Sequence, residues 1–138
     1  MPRTPVPPAV DALLALPNPA VVATIRPDGS PHTVATWYDW EDGRVLLNMD
    51  AGRVRLAYIR RDPRVALTVL VDNAETQVSL IGRVVEIYPD AELADIDRLA
   101  RRYYGGAFGT RDRPRVSAWM QPDRWHGWSG SNRLSETG

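Results

Sequence analysis

The chain contains no cysteine and no lysine. Without cysteine it can form no disulfide, no thiolate nucleophile and no Cys-type zinc site. Without lysine it cannot carry out Schiff-base chemistry at a lysine amine. All seventeen basic residues are arginine, a bias that a GC-rich genome explains without any function. Two histidines, His32 and His126, are too few for a His-rich metal site. No apolar run is long enough for a signal peptide or a membrane span, and the opening MPRTPVPPAV holds four prolines. A cytoplasmic protein with no membrane partner is expected. Neither sign of charge dominates: seventeen arginines face seventeen acids, for a formal charge of zero. That argues against a nucleic-acid partner, because backbone phosphates demand a net basic face. There is no G-x-G-x-x-G and no P-loop, so the usual nucleotide folds have no foothold. Ser79 and Ser117 have no His-Asp partner in sequence to complete a hydrolase triad.

What is present is an ordinary globular composition. The 138 residues, 43% hydrophobic and 25% charged, make one domain (1–138) with a modest core, its ends at 1–8 and 129–138 read as flexible tails. Val10, Leu13, Leu14 and Leu16 suggest a short helix ended by Pro17-Asn18-Pro19. Strands are predicted at 20–26, 31–40 and 44–49, joined by Pro27-Asp28-Gly29-Ser30 and Glu41-Asp42-Gly43. A helix then precedes Asp62-Pro63, with strands at 64–72 and 77–88, the latter bent or bulged at Gly82. Leu93, Ile96, Leu99 and Tyr103 carry the stripe of a helix from about 90 to 104. A last strand is read at 116–121. Six strands with short flanking helices make a mainly β, antiparallel barrel.

The chemistry concentrates at residues 44–70, RVLLNMDAGRVRLAYIRRDPRVALTVL. The corner Met49-Asp50-Ala51-Gly52 opens onto Arg53, with Arg55 two residues on. A helix start presents unpaired N–H groups and the positive end of its dipole, and guanidiniums add charge-assisted donors suited to phosphate. At about 100° per residue Arg53 and Arg55 would point apart within a helix. Both can meet one anion only if Arg53 lies in the corner, ahead of the first turn. In the strand around His32 to Trp37, small and polar side chains leave room for a flat ring against the backbone. Five tryptophans, three of them (Trp119, Trp125, Trp128) near the C-terminus, suit either core packing or an aromatic wall.

PDGSPHTVATWYDWEDGRVLLNM followed by GRVRLAYIRRDPRVAL resembles the pyridoxamine 5′-phosphate oxidase-like split-barrel family, and within it the deazaflavin (F420)-dependent branch. The likeness runs from about residue 8 to 128. It implies a six-stranded antiparallel split β-barrel, acting as a homodimer with cofactors at the subunit interface. It further implies that Arg53 and Arg55 clamp a phosphate, Arg55 standing where a lysine is common. Asn48 and Met49 would contact the phosphate or ribityl chain through backbone groups, and His32, Ala35 and Thr36 would line the ring. Arg60 would reach an oligoglutamate tail. Trp37, Gln77, Ser79 and Trp125 would be wall residues, some of them given by the second subunit. His126 or Tyr38 is the candidate proton source. The implied activity is hydride transfer from reduced F420 to a small conjugated acceptor such as an enone, a quinone or a tetrapyrrole. The alternatives are an FMN-binding oxidase or flavin reductase on the same barrel, and a non-catalytic F420 carrier. The second strand lacks the basic residues that pyridoxamine phosphate oxidases carry near His32 and Trp37, which weighs against FMN. Residues 104–115 are a candidate lid.

Overall fold

The computed structural model describes residues 1–137. Helix α1 (Pro8–Leu14) starts on proline, which costs nothing where the first N–H has no helical partner, and buries Val10 and Leu14. Strands β1 (Ala20–Ile25) and β2 (Pro31–Thr36) form a hairpin, followed by β3 (Asp39–Glu41) and β4 (Arg44–Asp50). Asp42 and Gly43, at φ +52° and +75°, make the β3–β4 connection a two-residue turn whose twist matches the strands it joins. Helix α2 (Val54–Arg61) leads to β5 (Arg64–Val71) and the long β6 (Thr76–Pro89). Helix α3 (Ala94–Tyr104), β7 (Arg115–Ser129) and the short β8 (Asn132–Arg133) complete the chain.

All strands belong to one antiparallel sheet in the order β2-β1-β5-β6-β7-β4-β3, with β8 on β7. The two ends of that path, β2 and β3, are consecutive in sequence, linked by Trp37 and Tyr38 alone. The sheet therefore curls until its edges meet. β2 pairs only with β1, and β3 reaches only Arg44 to Leu46 of β4. Residues 47–50 of β4 have no sheet partner on that side, so the barrel is open between them and β2. Alternate residues of β1 and β5 (Ala20, Val22; Val65, Leu67, Val69) fill the interior with Val45, Leu47 and Met49 of β4 and Val78 and Leu80 of β6. β4 is buried on both faces: Leu46 packs outward against Trp119, Ile96 and Leu99, which seats α3 on the outside.

Several expectations need correction. The stretch read as one strand, 31–40, breaks at Trp37-Tyr38 because Tyr38 turns into the core, where its hydroxyl donates toward the Leu14 and Leu16 carbonyls (2.7 and 3.0 Å). This break, with β8, gives eight strands rather than six. The last strand runs to Ser129, not 121, since Trp125 is an interior residue at 1% exposure. α3 starts at 94 rather than 90 because the chain turns at Leu93 (φ +61°) and Asp90, upstream of that turn, holds the first helical turn: its carboxylate accepts the amides of Asp95 and Ile96 (3.1 and 2.9 Å). Both stretches read as tails carry pairing: Trp125 N donates to Pro2 O and Thr4 N to Asp123 O (each 3.1 Å), and β8 pairs with β7. The register shift expected at Gly82 is present, and a Cβ there would collide with the Gln121 carbonyl and lie 2.7 Å from Pro122 Cα.

Candidate functional site

A cleft of about 590 Å³ opens where the barrel is split. Its two long sides are the free edge of β2 (Val34 to Thr36) and residues Asn48 to Asp50 of β4. On the side facing the cleft neither edge has a sheet partner, so its backbone groups are left to the space, apart from the Asn48 carbonyl, which accepts from the Arg55 guanidinium (3.4 Å). Its far wall is apolar, made by Ile96, Leu99 and Tyr103 of α3 and by Phe108. Trp37 stands at the mouth, stacked on Tyr103 with ring centroids 5.5 Å apart and planes 10° apart, and meets Phe108 edge-on at 6.2 Å. Tyr103 donates its hydroxyl to Asn18 O (2.7 Å), and burial pushes its phenol up to about 12, so it stays neutral.

The other end of the cleft is charged. Arg53 has extended backbone (φ −68°, ψ 133°) and occupies the position before the first turn of α2, while Arg55 is the second helical residue. The condition set by helix geometry is met, and both arginines line the cleft. The corner is shaped by Asp50, whose Oδ1 accepts the Gly52 amide (2.8 Å) and whose carbonyl accepts the Arg53 amide (3.0 Å). The start of α2 has no side-chain cap. A third guanidinium comes from Arg115, at the start of β7 and directly across the ladder from Asp50.

Among the described residues, none of these three arginines forms an ion pair with a carboxylate; the acid nearest them, Asp50, pairs with Arg113 (3.2 Å). Burial, then the charges of Arg53 and Arg115, pushes the Arg55 guanidinium below its ordinary range. Burial and Arg53 do the same to Arg115, against the pull of Asp50 and Asp90. Like charges gathered in a partly dry cleft are unfavourable unless an anion joins them. A slot between two strand edges, with one apolar wall and three guanidiniums that carry no ion pair among the described residues, fits a planar ring carrying a phosphate.

Of the expected site residues, Ala35, Thr36, Asn48, Met49, Arg53 and Arg55 line this one cleft, as does Trp37. The side chain of Met49 is core, at 1% exposure, and Asn48 is hydrogen-bonded throughout, so both meet the space chiefly by backbone. The rest fall elsewhere. His32 sits 5.5 Å from the Tyr58 ring with Nδ1 3.5 Å from Thr24 Oγ1, outside the cleft. Arg60 is exposed on the far side of α2, bordering a shallow groove with Val84 and Ile87. Gln77 and Ser79 lie on the outer sheet face, Ser79 bonded to Thr68 (2.8 Å). Trp125 is a core residue and walls no part of this cleft. Tyr38 is fully buried with its hydroxyl spent on carbonyls, so it is no proton source for the cleft. His126 pairs with Ser79 in the ladder, away from it. The candidate lid 104–115 does contribute Phe108, and it is pinned to α3 through Asp97, which accepts the Phe108 amide (2.9 Å) and pairs with Arg111 (2.8 Å). Arg115 is the site residue that sequence reasoning missed. In GTRDRPRV it is one arginine among three, and only the β4–β7 register singles it out.

Comparison with known proteins decides the family. A family model described as pyridoxamine 5′-phosphate oxidase matches residues 6–129. The chain belongs to that family. Its members bind a flavin or the deazaflavin F420. The fold is the family's split barrel. A solved structure described as an F420 reductase is 29% identical over 83% of this chain and 94% of its own, at a TM-score of 0.77. A conserved hypothetical protein from Mycobacterium tuberculosis is 24% identical over 92% of this chain and 86% of its own (TM-score 0.72). A protein described as a putative pyridoxamine 5′-phosphate oxidase from Listeria innocua shares the fold at 14% identity, over 88% of this chain and 97% of its own (TM-score 0.67). No curated protein matches the chain. Among the described residues no helix is long and apolar enough to cross a membrane.

Proposed function

We propose that this split-barrel protein is an F420-dependent oxidoreductase acting on a small conjugated acceptor. The observation that carries the reading is the pairing, in one cleft, of unneutralised arginines with a flat apolar slot. Its support over FMN is the similarity to the F420 reductase and the absence of arginine or lysine at positions 32 and 37. When bound, the reduced deazaflavin supplies a hydride, and the protein supplies position and electrostatics. Arg53 and Arg55 hold the phosphate at the start of α2. The backbone edges of β2 and of Asn48–Met49 run beside the ring and its chain. Ile96, Leu99 and Phe108 exclude water from one side, and Trp37 borders the acceptor. FMN in place of F420 is the second reading, favoured by the family match over residues 6–129.

The outer face of the β1–β5–β6 sheet presents small or aliphatic half-buried residues, among them Val21, Ala23, Ala66, Leu70 and Ile81. A second copy of the chain on this face would make the homodimer, and Gln77 and Ser79 would then approach the partner's cleft. Sedimentation equilibrium tests this, and a monomer at micromolar concentration would refute it. The deciding functional experiment is a fluorescence titration with F420 beside FMN, repeated on Arg55→Ala. F420 is expected to bind more tightly than FMN and to lose affinity in the variant. Preferential FMN binding, or no binding of either, would overturn the assignment.

A further inference from the structure

The third guanidinium of the cleft is built into the structure more rigidly than the other two. The Arg115 side chain spends Nε on Asn48 Oδ1 (2.8 Å), its sole side-chain hydrogen bond among the described residues. Its guanidinium carbon lies 4.6 Å from the centre of the Phe108 ring, a stacking contact that fixes the plane. The two terminal nitrogens are left for the cleft. Asn48 cannot turn away, because its Nδ2 donates to Asp90 Oδ2 and to Ser117 Oγ (3.1 Å each). That leaves Oδ1 as the acceptor and settles the orientation of the amide. Asp90 in turn holds the first turn of α3, and Ser117 donates to Asp95 Oδ2 (2.7 Å). An arginine pinned by one nitrogen and one face, its fork free and ion-paired to no carboxylate among the described residues (Asp50, across the ladder, pairs with Arg113), is preorganised for an anion.

We propose that Arg115 is a third anion-binding residue of the cleft and that Asn48 is the residue that positions it. This deepens the cofactor reading and rests on the cleft being an anion site. With Arg53 and Arg55 it gives three positive charges, which suits a ligand whose anionic end carries two or more negative charges. The register explains the arrangement: Asn48 faces Ser117 and Asp50 faces Arg115, so Asn48 and Arg115 share one face of the β4–β7 ladder.

Inorganic pyrophosphate is the probe, titrated calorimetrically at low salt against the full chain. Arg115→Gln is expected to weaken it roughly tenfold or more, as for loss of a charge-assisted pair. Arg64→Gln, an exposed arginine paired with Asp62, is expected to bind as the wild type does. Arg115→Lys is expected not to restore binding, because an ammonium lacks both the fork and the nitrogen that Asn48 holds. Asn48→Leu is expected to weaken binding in the wild-type background and to have no further effect in Arg115→Gln, a cycle that a merely structural role would not produce. Wild-type affinity in Arg115→Gln overturns the anion role, and an undiminished Asn48→Leu effect in that background overturns the positioning role. Should Arg115→Gln fail to fold, a wild-type crystal with pyrophosphate decides: the anion on the Arg115 terminal nitrogens supports the proposal, and the anion clear of them overturns it. If Arg55→Ala abolishes F420 binding while Arg115→Gln leaves it intact, this inference fails and the functional reading stands. If pyrophosphate depends on Arg115 but no deazaflavin binds, the reverse holds.

Discussion

Two groups of arginines, one on α3 and one around the β4–α2 corner, show how the same side chain serves opposite ends. On α3, Arg102 is mostly covered and saturated: it pairs with Asp39 (3.1 Å) and donates to the carbonyls of Tyr38 (2.9 Å), Ala15 (2.8 Å) and Leu16 (2.6 Å). Arg98 pairs with the same Asp39 (2.6 Å) and with Glu41 (3.4 Å). Arg98 and Arg102 both face acids, and the two tie α1, the Trp37-Tyr38 crossover, β3 and α3 into one unit. At the corner, Arg53, Arg55 and Arg115 are gathered with no ion pair among the described residues, and the one acid that lines the cleft, Asp50, is paired with Arg113. Charge that is paired holds a fold together, whereas charge left unpaired at a concave surface awaits a ligand.

Four experiments would break or sharpen that contrast. The largest effect is expected from Arg102→Ala, which strands the carbonyls of Ala15 and Tyr38 and takes one partner from Asp39. A loss of about 3 kcal/mol in urea unfolding is predicted, with the cofactor affinity of the folded fraction kept. An unchanged midpoint would show that the saturated arginine is ornamental. Next, Arg55→Ala should cost about 2–3 kcal/mol of cofactor binding yet leave the apo-protein's melting temperature unchanged or raised. The sign follows from the depressed guanidinium: burial and its two neighbours oppose its charge in the apo-protein. A large drop in apo stability would make it a structural residue. Trp37→Ala should weaken F420 by about 1 kcal/mol, and riboflavin equally, while Arg55→Ala should spare riboflavin, which has no phosphate. Equal effects of both variants on both ligands would mean that ring and phosphate ends are not separate.

The smallest effect is the most local. The Arg111 guanidinium and the Phe108 amide hold Asp97 below the usual carboxylate range. Because the folded carboxyl is the stronger acid, its contribution is complete above the unfolded value near 4 and is lost as pH falls through the lower, folded one. Amide exchange at Phe108 should therefore accelerate as acid passes below about pH 4, and Asp97→Asn should reproduce this at neutral pH. Arginine does not titrate in that range, so the three guanidiniums of the corner keep their charge through the same change. Exchange that stays flat through acid in both proteins would show that the segment is held by something other than Asp97.

Part of the site was readable because its signals are local. Asp50-Ala51-Gly52 before Arg53 specifies a corner, and the spacing to Arg55 states what backbone the pair would need. Trp37 and its small neighbours mark a strand with room beside it. Other residues were misjudged because their placement depends on contacts far along the chain. Trp125 and Trp128 look alike in sequence, yet register against β6 sends Trp125 into the core. His32 alternates with Thr36 on one strand face, but only the strand's last residues reach the split.

The order of hydrophobic runs, the turn residues at Asp42-Gly43 and Gly82, and the arginine corner were set by the sequence alone, because turn geometry, side-chain alternation and helix starts are properties of a few neighbouring residues. The opening between β2 and β4, the burial of Tyr38 that creates it, and the arrival of Arg115 beside Arg55 were decided by the tertiary structure. Each of those depends on which strands pair and in what register, and residues sixty positions apart carry no local mark of meeting.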